Sequence, residues 1–157
     1  MKYDTENAEL WFQGTHLYTG SVKNGVIDGH GTLFYDNKMI KYFGEFKYGK
    51  ENGEGKLFTR FGDLIYHGYF MNSMVHGHGK LYSETNTLGT PESRLVYDGN
   101  FKEGLYNGFG KLYDENMNEL TYEGGFKNGE YEGLGKRFLE DGTTVEFTFK
   151  DGKPVFG

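Results

Sequence analysis

The chain has no cysteine, and among its 157 residues only two are proline and one is tryptophan. Without thiols there are no disulfide staples and no thiolate-rich zinc sites. No apolar run approaches the ~18 residues that a membrane-spanning helix needs. The first residues, MKYDTENAEL, also lack the basic head and apolar centre of a signal peptide. The expectation is a soluble intracellular protein, cytoplasmic or associated with cytoskeleton or membrane. Hydrophobic residues, at 36%, are too few for a conventional two-layer core. Positive charge is short as well: 17 Lys and Arg face 23 Asp and Glu, a net charge of −6. That balance disfavours nucleic acid as a partner and leaves a local basic patch as the one route to an anionic surface.

What the chain has in excess is glycine, 26 residues, and aromatic rings, 18% of the sequence, and the two are in register. Tyr-x-Gly recurs at Tyr18, Tyr42, Tyr66, Tyr97 and Tyr122. Two residues after its glycine each copy has Val22, Phe46, Phe70, Phe101 or Phe126, then a turn position at Gly25, Gly49, Ser73, Gly104 or Gly129. Four residues further stands Gly-x-Gly, as in Gly53-Glu54-Gly55. A degraded half-unit, Val145 to Gly152, puts Phe147 where the glycine belongs. Self-similarity at a fixed period marks a repeat architecture and takes precedence over any local reading.

The pattern Y-x-G-x-F-(x)2-G-(x)3-G-x-G, carried by Tyr18 to Gly152, resembles the MORN repeat. That resemblance implies an all-β fold: a single elongated, twisted antiparallel sheet of consecutive β-hairpins. Residues 1–17 would form an N-terminal cap, residues 18–157 the repeat sheet with five full units, and residues 83–94 a projecting loop. Val22, Ser73 and Arg137 depart from the pattern.

The residues support hairpins independently. Asn24-Gly25 and Asn128-Gly129 are two-residue turn signals, because both turn positions need positive φ. A loop at Tyr48-Gly49 sets Phe46 opposite Glu51, Gly44 opposite Gly53 and Tyr42 opposite Gly55. Rings then lie over bare glycine on one face, while Phe43, Glu45, Lys47, Glu54 and Lys56 share the other. In the first segment, Asp4-Thr5 with Glu6 and Glu9 fits a short helix, and Leu10 to Val22 fits a long edge strand equally well. Either would cap a sheet end, with Trp11 as a packing residue. Lys153-Pro154 is placed to end pairing at the last edge.

Catalytic and ligand motifs fail one by one. The stretch GKENGEGK, residues 49–56, is followed by Leu57 rather than Ser or Thr, so it is not a phosphate loop. His76 and His78 share a strand face, and His30 matches His78 in its own unit, but no further ligands converge in the pattern. Asp114, Asn116 and Asn118 imitate a calcium loop, yet Glu119 stands where glycine is required and Gly125 where the closing glutamate is required. They read as a polar turn. Thr90-Pro91 reads as a turn in the projecting loop. No catalytic residues, metal or cofactor are expected, and the chain is read as a non-enzyme.

A single sheet layer leaves one face uncovered, and a long apolar surface marks a partner site. The favoured expectation is therefore a scaffold that binds protein partners in a groove lined by Tyr42, Phe46, Tyr66, Phe70, Tyr97, Phe101, Tyr122 and Phe126. A helix in the groove or a strand at an edge would be the mode of recognition. Self-association through terminal strands is a further expectation. The alternative is a membrane tether: Lys56, Lys80, Lys111 and Lys136 occupy one repeat position, Lys23, Lys47, Lys102 and Lys127 another. Columns of lysine suit anionic phospholipid, although Glu45, Glu54, Glu103, Glu123, Glu130 and Glu132 lie nearby. Relatives that carry such repeats beside kinase or methyltransferase domains suggest a third role, as regulatory subunit of a separate enzyme.

Overall fold

The computed structural model describes residues 4–84 and 93–156, and contains no helix among them. Thirteen antiparallel strands run in sheet order as they run in the chain. They are β1 (Thr5–Phe12), β2 (Thr15–Lys23), β3 (Val26–Phe34), β4 (Ile40–Lys47), β5 (Lys50–Phe58), β6 (Leu64–Met71), β7 (Met74–Tyr82), β8 (Leu95–Lys102), β9 (Leu105–Tyr113), β10 (Leu120–Lys127), β11 (Glu130–Phe138), β12 (Thr144–Lys150) and β13 (Lys153–Val155). Two compact units divide them, β1 to β6 and then β7 to β13 from Val75 onward. Thr90-Pro91 lies outside the described residues.

Every hairpin within a repeat turns on two residues of positive φ. Asn24 (51°) and Gly25 (76°), or Asn128 (50°) and Gly129 (84°), have the geometry that matches the right-handed twist of the flanking strands. Tyr48 (50°) adopts it without the Asn or Asp that tolerates it best. Tyr48→Asn is therefore expected to stabilise the chain by about 0.5 kcal/mol, read as a higher urea midpoint at unchanged slope. An unchanged or lower midpoint would show that the exposed Tyr48 ring, with Lys47 at 5.6 Å, offsets the strain.

The register departs from the expected one. Phe46 does face Glu51, but beyond it Gly44 pairs with Gly55 and Tyr42 with Leu57. The strand carrying Gly-x-Gly gains two residues there through a β-bulge, and Gly53 adopts a φ of 101°. Within β1 to β6 the shift lines up a glycine row, Gly20, Gly31, Gly44, Gly55 and Gly68, each opposite the next. In the second unit Gly79, Gly99, Gly110, Gly124 and Gly135 do the same, and Phe147 ends the row opposite Gly135.

The first segment is neither a helix nor one long edge strand. Thr5–Phe12 forms a strand that turns at Gln13-Gly14 and pairs with β2, so Ala8 meets Gly20 and ends the row at that side. Gln is an unusual residue at positive φ, which hid the turn. Trp11 is 60% exposed and stacks on His16 at 4.7 Å, which in turn stacks on Phe34 at 4.8 Å. It covers a neighbour rather than entering a core.

Candidate functional site

Tyr18, Tyr42, Tyr97 and Tyr122 each lie against the second glycine of the following Gly-x-Gly. A Cβ on Gly55 would sit 2.3 Å from the Tyr42 hydroxyl and 2.5 Å from its ring, and Gly31, Gly110 and Gly135 meet Tyr18, Tyr97 and Tyr122 equally closely. The hydroxyl then reaches a carbonyl that the bulge has taken out of the ladder. Tyr42 Oη donates to Glu45 O at 2.8 Å, Tyr18 to Ser21 O at 2.8 Å, Tyr66 to Tyr69 O at 2.9 Å, Tyr97 to Asn100 O at 2.8 Å and Tyr122 to Gly125 O at 3.1 Å. The bulge creates an orphan acceptor and the ring satisfies it, so tyrosine rather than phenylalanine is needed.

Phenylalanines close over these tyrosines. In the first unit Tyr42 meets Phe46 of its own strand at 5.0 Å and Phe70, two strands on, at 5.1 Å, both edge-on. In the second, Tyr97 meets Phe101 at 5.0 Å and Phe126 at 5.5 Å, and stacks on Tyr106 at 3.8 Å. Tyr122, Tyr131 and Phe149 complete that cluster. Burial, foremost, holds the tyrosine hydroxyls above their usual range. For Tyr42 the carboxylates of Glu51 and Glu45 add to it, and Tyr122 is pushed up to about 12.

This corrects the groove. Tyr42, Tyr66, Tyr97 and Tyr122 are at most 1% exposed, and Phe46, Phe70, Phe101 and Phe126 are 5 to 6% exposed. The eight rings are the core itself. In each unit tyrosines lie over glycine and phenylalanines over tyrosines, so among the described residues these rings line no open groove.

The lysines are placed differently from a basic column as well. In the second unit one row reads Lys80, Asp98, Lys111, Glu123, Lys136, Glu146 across successive strands. Carboxylates on the intervening strands alternate with the lysines, and Lys136 Nζ lies 3.8 Å from Glu146 Oε1. Lys56 stands between Phe43 and His67.

Histidines on the same outer face pair with carboxylates across strands. His30 lies 3.9 Å from Glu45, His67 3.3 Å from Glu54 and His78 3.0 Å from Asp98. His76 instead faces a turn, where its Nδ1 accepts the Glu103 amide at 3.3 Å. Among the described residues no three His, Asp or Glu side chains are grouped to hold a metal ion. Asp114 uses its carboxylate on its own turn, accepting the Asn116 and Met117 amides at 2.8 Å.

The residues that sequence reasoning passed over are on the face opposite the rings. Phe43 and Tyr69 in the first unit are 54% and 53% exposed, Phe109 and Leu134 in the second 56% and 68%. Each neighbours a row glycine, so strand alternation turns it away from the core. The available signal was comparative: Phe109 and Leu134 occupy the middle of Gly-x-Gly, where other repeats have His30, Glu54 and His78.

A family model described as MORN repeat matches residues 18–39, 42–59, 66–87, 97–116 and 122–144. The chain belongs to the MORN-repeat family. Its five matches begin at or next to the five core tyrosines, so the family pattern and the ring lattice describe the same object. MORN repeats serve commonly in membrane and protein interaction and are generally structural rather than enzymatic. No curated protein matches the chain significantly.

A MORN sheet has two edges to protect. At β13 the Lys150–Lys153 pair closes the turn and the Phe149–Pro154 pair follows. Closing pairs of two-residue hairpins exchange hydrogen bonds and the next pair does not. The proline nitrogen therefore faces the outer edge, which has no N–H to offer at that residue.

Proposed function

We propose that the chain is an intracellular, non-enzymatic scaffold that holds protein partners in a larger assembly through the face turned away from its rings. One observation carries this reading: the ring face is consumed by the protein's own core, while the opposite face of each unit displays large apolar side chains among charges. Folding gains nothing from exposing Phe43, Tyr69, Phe109 and Leu134, and such residues on a charged surface suit the anchors of a protein contact.

The test is quantitative capture from an extract of the native source, with the chain as bait. Phe43→Ser, Tyr69→Thr, Phe109→His and Leu134→Glu together should leave the chain folded and lower its stability by no more than about 2 kcal/mol, because exposed substitutions cost within about 0.5 kcal/mol each. Recovery of specific partners should fall about tenfold. Equal recovery from both baits would reject the reading.

The membrane-tether alternative has less support, since the second unit's lysines alternate with carboxylates. The chain is expected to stay unbound in flotation with phosphatidylserine vesicles at low salt. Flotation that is lost on neutralising Lys80, Lys111 and Lys136 would restore the tether.

A further inference from the structure

One place in the lattice lacks a side chain that its counterparts have. In the first, second and fourth repeats the residue after Tyr-x-Gly covers the first glycine of the following Gly-x-Gly with its side chain. A Cβ on Gly29 would meet Ser21 Cβ at 2.9 Å, one on Gly53 would meet the Glu45 carboxylate carbon at 2.9 Å, and one on Gly108 would meet Asn100 Cβ at 3.3 Å. In the fifth repeat the covering residue is Gly125, and nothing lies within 4 Å of a Cβ on Gly133. The vacancy is built in: a Cβ on Gly125 would itself strike the Glu132 carbonyl oxygen at 2.0 Å.

The surroundings of this vacancy differ from those of its counterparts. Gly125 pairs with Phe109, and beside it lies a trough of about 180 Å³ over Gly124 and Gly135, walled by Phe109 and Leu134 and rimmed by Glu123, Lys136 and Glu146. The equivalent trough on the first unit is lined instead by His30, Glu45 and Glu54 beside Phe43. Here both walls are apolar and half or more exposed. The space is smaller than the roughly 300 Å³ at which small-molecule pockets begin, and suits a single large side chain. Lys136 pairs with Glu146 at the rim, whereas Glu123, which stands between Lys111 and Lys136 in its row, forms an ion pair with neither among the described residues and lines the slot as a carboxylate.

Resting on the scaffold reading, we propose that Phe109, Leu134 and Glu123 form a docking slot for an extended segment of a protein partner. That segment places one large apolar side chain between the Phe109 and Leu134 walls, over Gly124 and Gly135 and beside Gly125. A lysine or arginine next to it meets Glu123. The occupant supplies from outside the cover that Ser21, Glu45 and Asn100 supply from within. Apolar contact anchors it, and the opposite charge sets its register.

The test is selection of a phage-displayed random peptide library on the full chain, followed by binding of a synthetic peptide of the enriched sequence. Enriched peptides should share a large apolar residue adjacent to lysine or arginine and should shift the amide resonances of Gly124, Gly125 and Gly133. Affinity should fall about tenfold for Leu134→Glu and for Glu123→Gln. Leu134→Glu installs the residue that Glu54 already is at the equivalent position, so the fold accepts it, and a matching melting curve confirms this. No enrichment, enrichment of acidic or wholly polar peptides, or equal binding to the Leu134→Glu chain overturns the slot. If Leu134→Glu alone leaves partner capture intact while the fourfold variant loses it, the slot fails and the scaffold stands. If the fourfold variant captures normally, both fail.

Discussion

Gly55→Ala should destabilise the chain by about 3 kcal/mol, because it adds a methyl group at a buried position that a ring already fills. The added Cβ would lie 2.3 Å from the Tyr42 hydroxyl and 2.5 Å from its ring carbons, well inside contact distance. A lone surface tyrosine would swing aside at little cost. Tyr42 is held by its hydrogen bond to Glu45 O and by Phe46 and Phe70 on its edges, so relief at Gly55 is expected to break those contacts. The urea midpoint should fall sharply. Gly142→Ala is the control: its φ of 82° is strained for alanine, but nothing lies within 4 Å, and about 1 kcal/mol is expected. Adding Tyr42→Leu to Gly55→Ala should cost much less than the sum of the two changes, because the second removes what the first strikes. Equal effects of Gly55→Ala and Gly142→Ala would mean that conformational freedom, and not the seat of the ring, is why Gly55 is glycine.

The second large effect is alkaline unfolding. Burial raises the hydroxyls of Tyr18, Tyr42, Tyr66, Tyr97 and Tyr122 above the usual value near 10, with Tyr122 at about 12. A group whose folded pKa exceeds its unfolded pKa contributes stability that is intact below the unfolded value and is lost as pH rises through the folded one. Above pH 10 the unfolded chain releases these protons while the folded chain retains them. Each such tyrosine then removes about 1.4 kcal/mol per pH unit. Five acting together would exhaust a typical domain stability within about two units above pH 10. Tyrosinate absorbance should show the core rings ionising in one cooperative step that coincides with loss of the sheet by circular dichroism. Ionisation of all 13 tyrosines near pH 10 with an unchanged sheet would contradict the burial.

The fold was legible because glycine and ring recur in one phase: Tyr42 and Gly44 mark a strand, and Tyr48-Gly49 marks its turn. Even the degraded last unit obeyed, with Phe147 taking the glycine place opposite Gly135. The register within a hairpin was less legible, because a bulge adds residues without changing composition. Nothing in Asn52-Gly53 distinguishes a paired glycine from one at a φ of 101°. The N-terminal turn was hidden in the same way by Gln13.

The candidate site was misplaced for a different reason. Alternation along a strand tells which residues share a face, and it correctly grouped Tyr42 with Phe46. It does not tell whether that face is covered, since cover comes from Phe70 two strands away. The useful signal lay in departures from the repeat: Phe109 and Leu134 where counterparts are polar, and Gly125 where counterparts have a side chain. In a repeat chain, positions that obey the lattice report folding, and positions that break it are where function can reside.

The interlocking rings also limit how such a chain can change in length. Tyr42 relies on a phenylalanine two strands ahead, and Tyr122 finds its own in Phe149 of the degraded half-unit. Removing a single strand would leave a tyrosine without its cover and turn every later side chain to the wrong face. Whole hairpins can be gained or lost with both conditions met. Duplication and deletion in this protein are therefore quantised, and its reach can be lengthened or shortened by complete repeats without redesigning the ends.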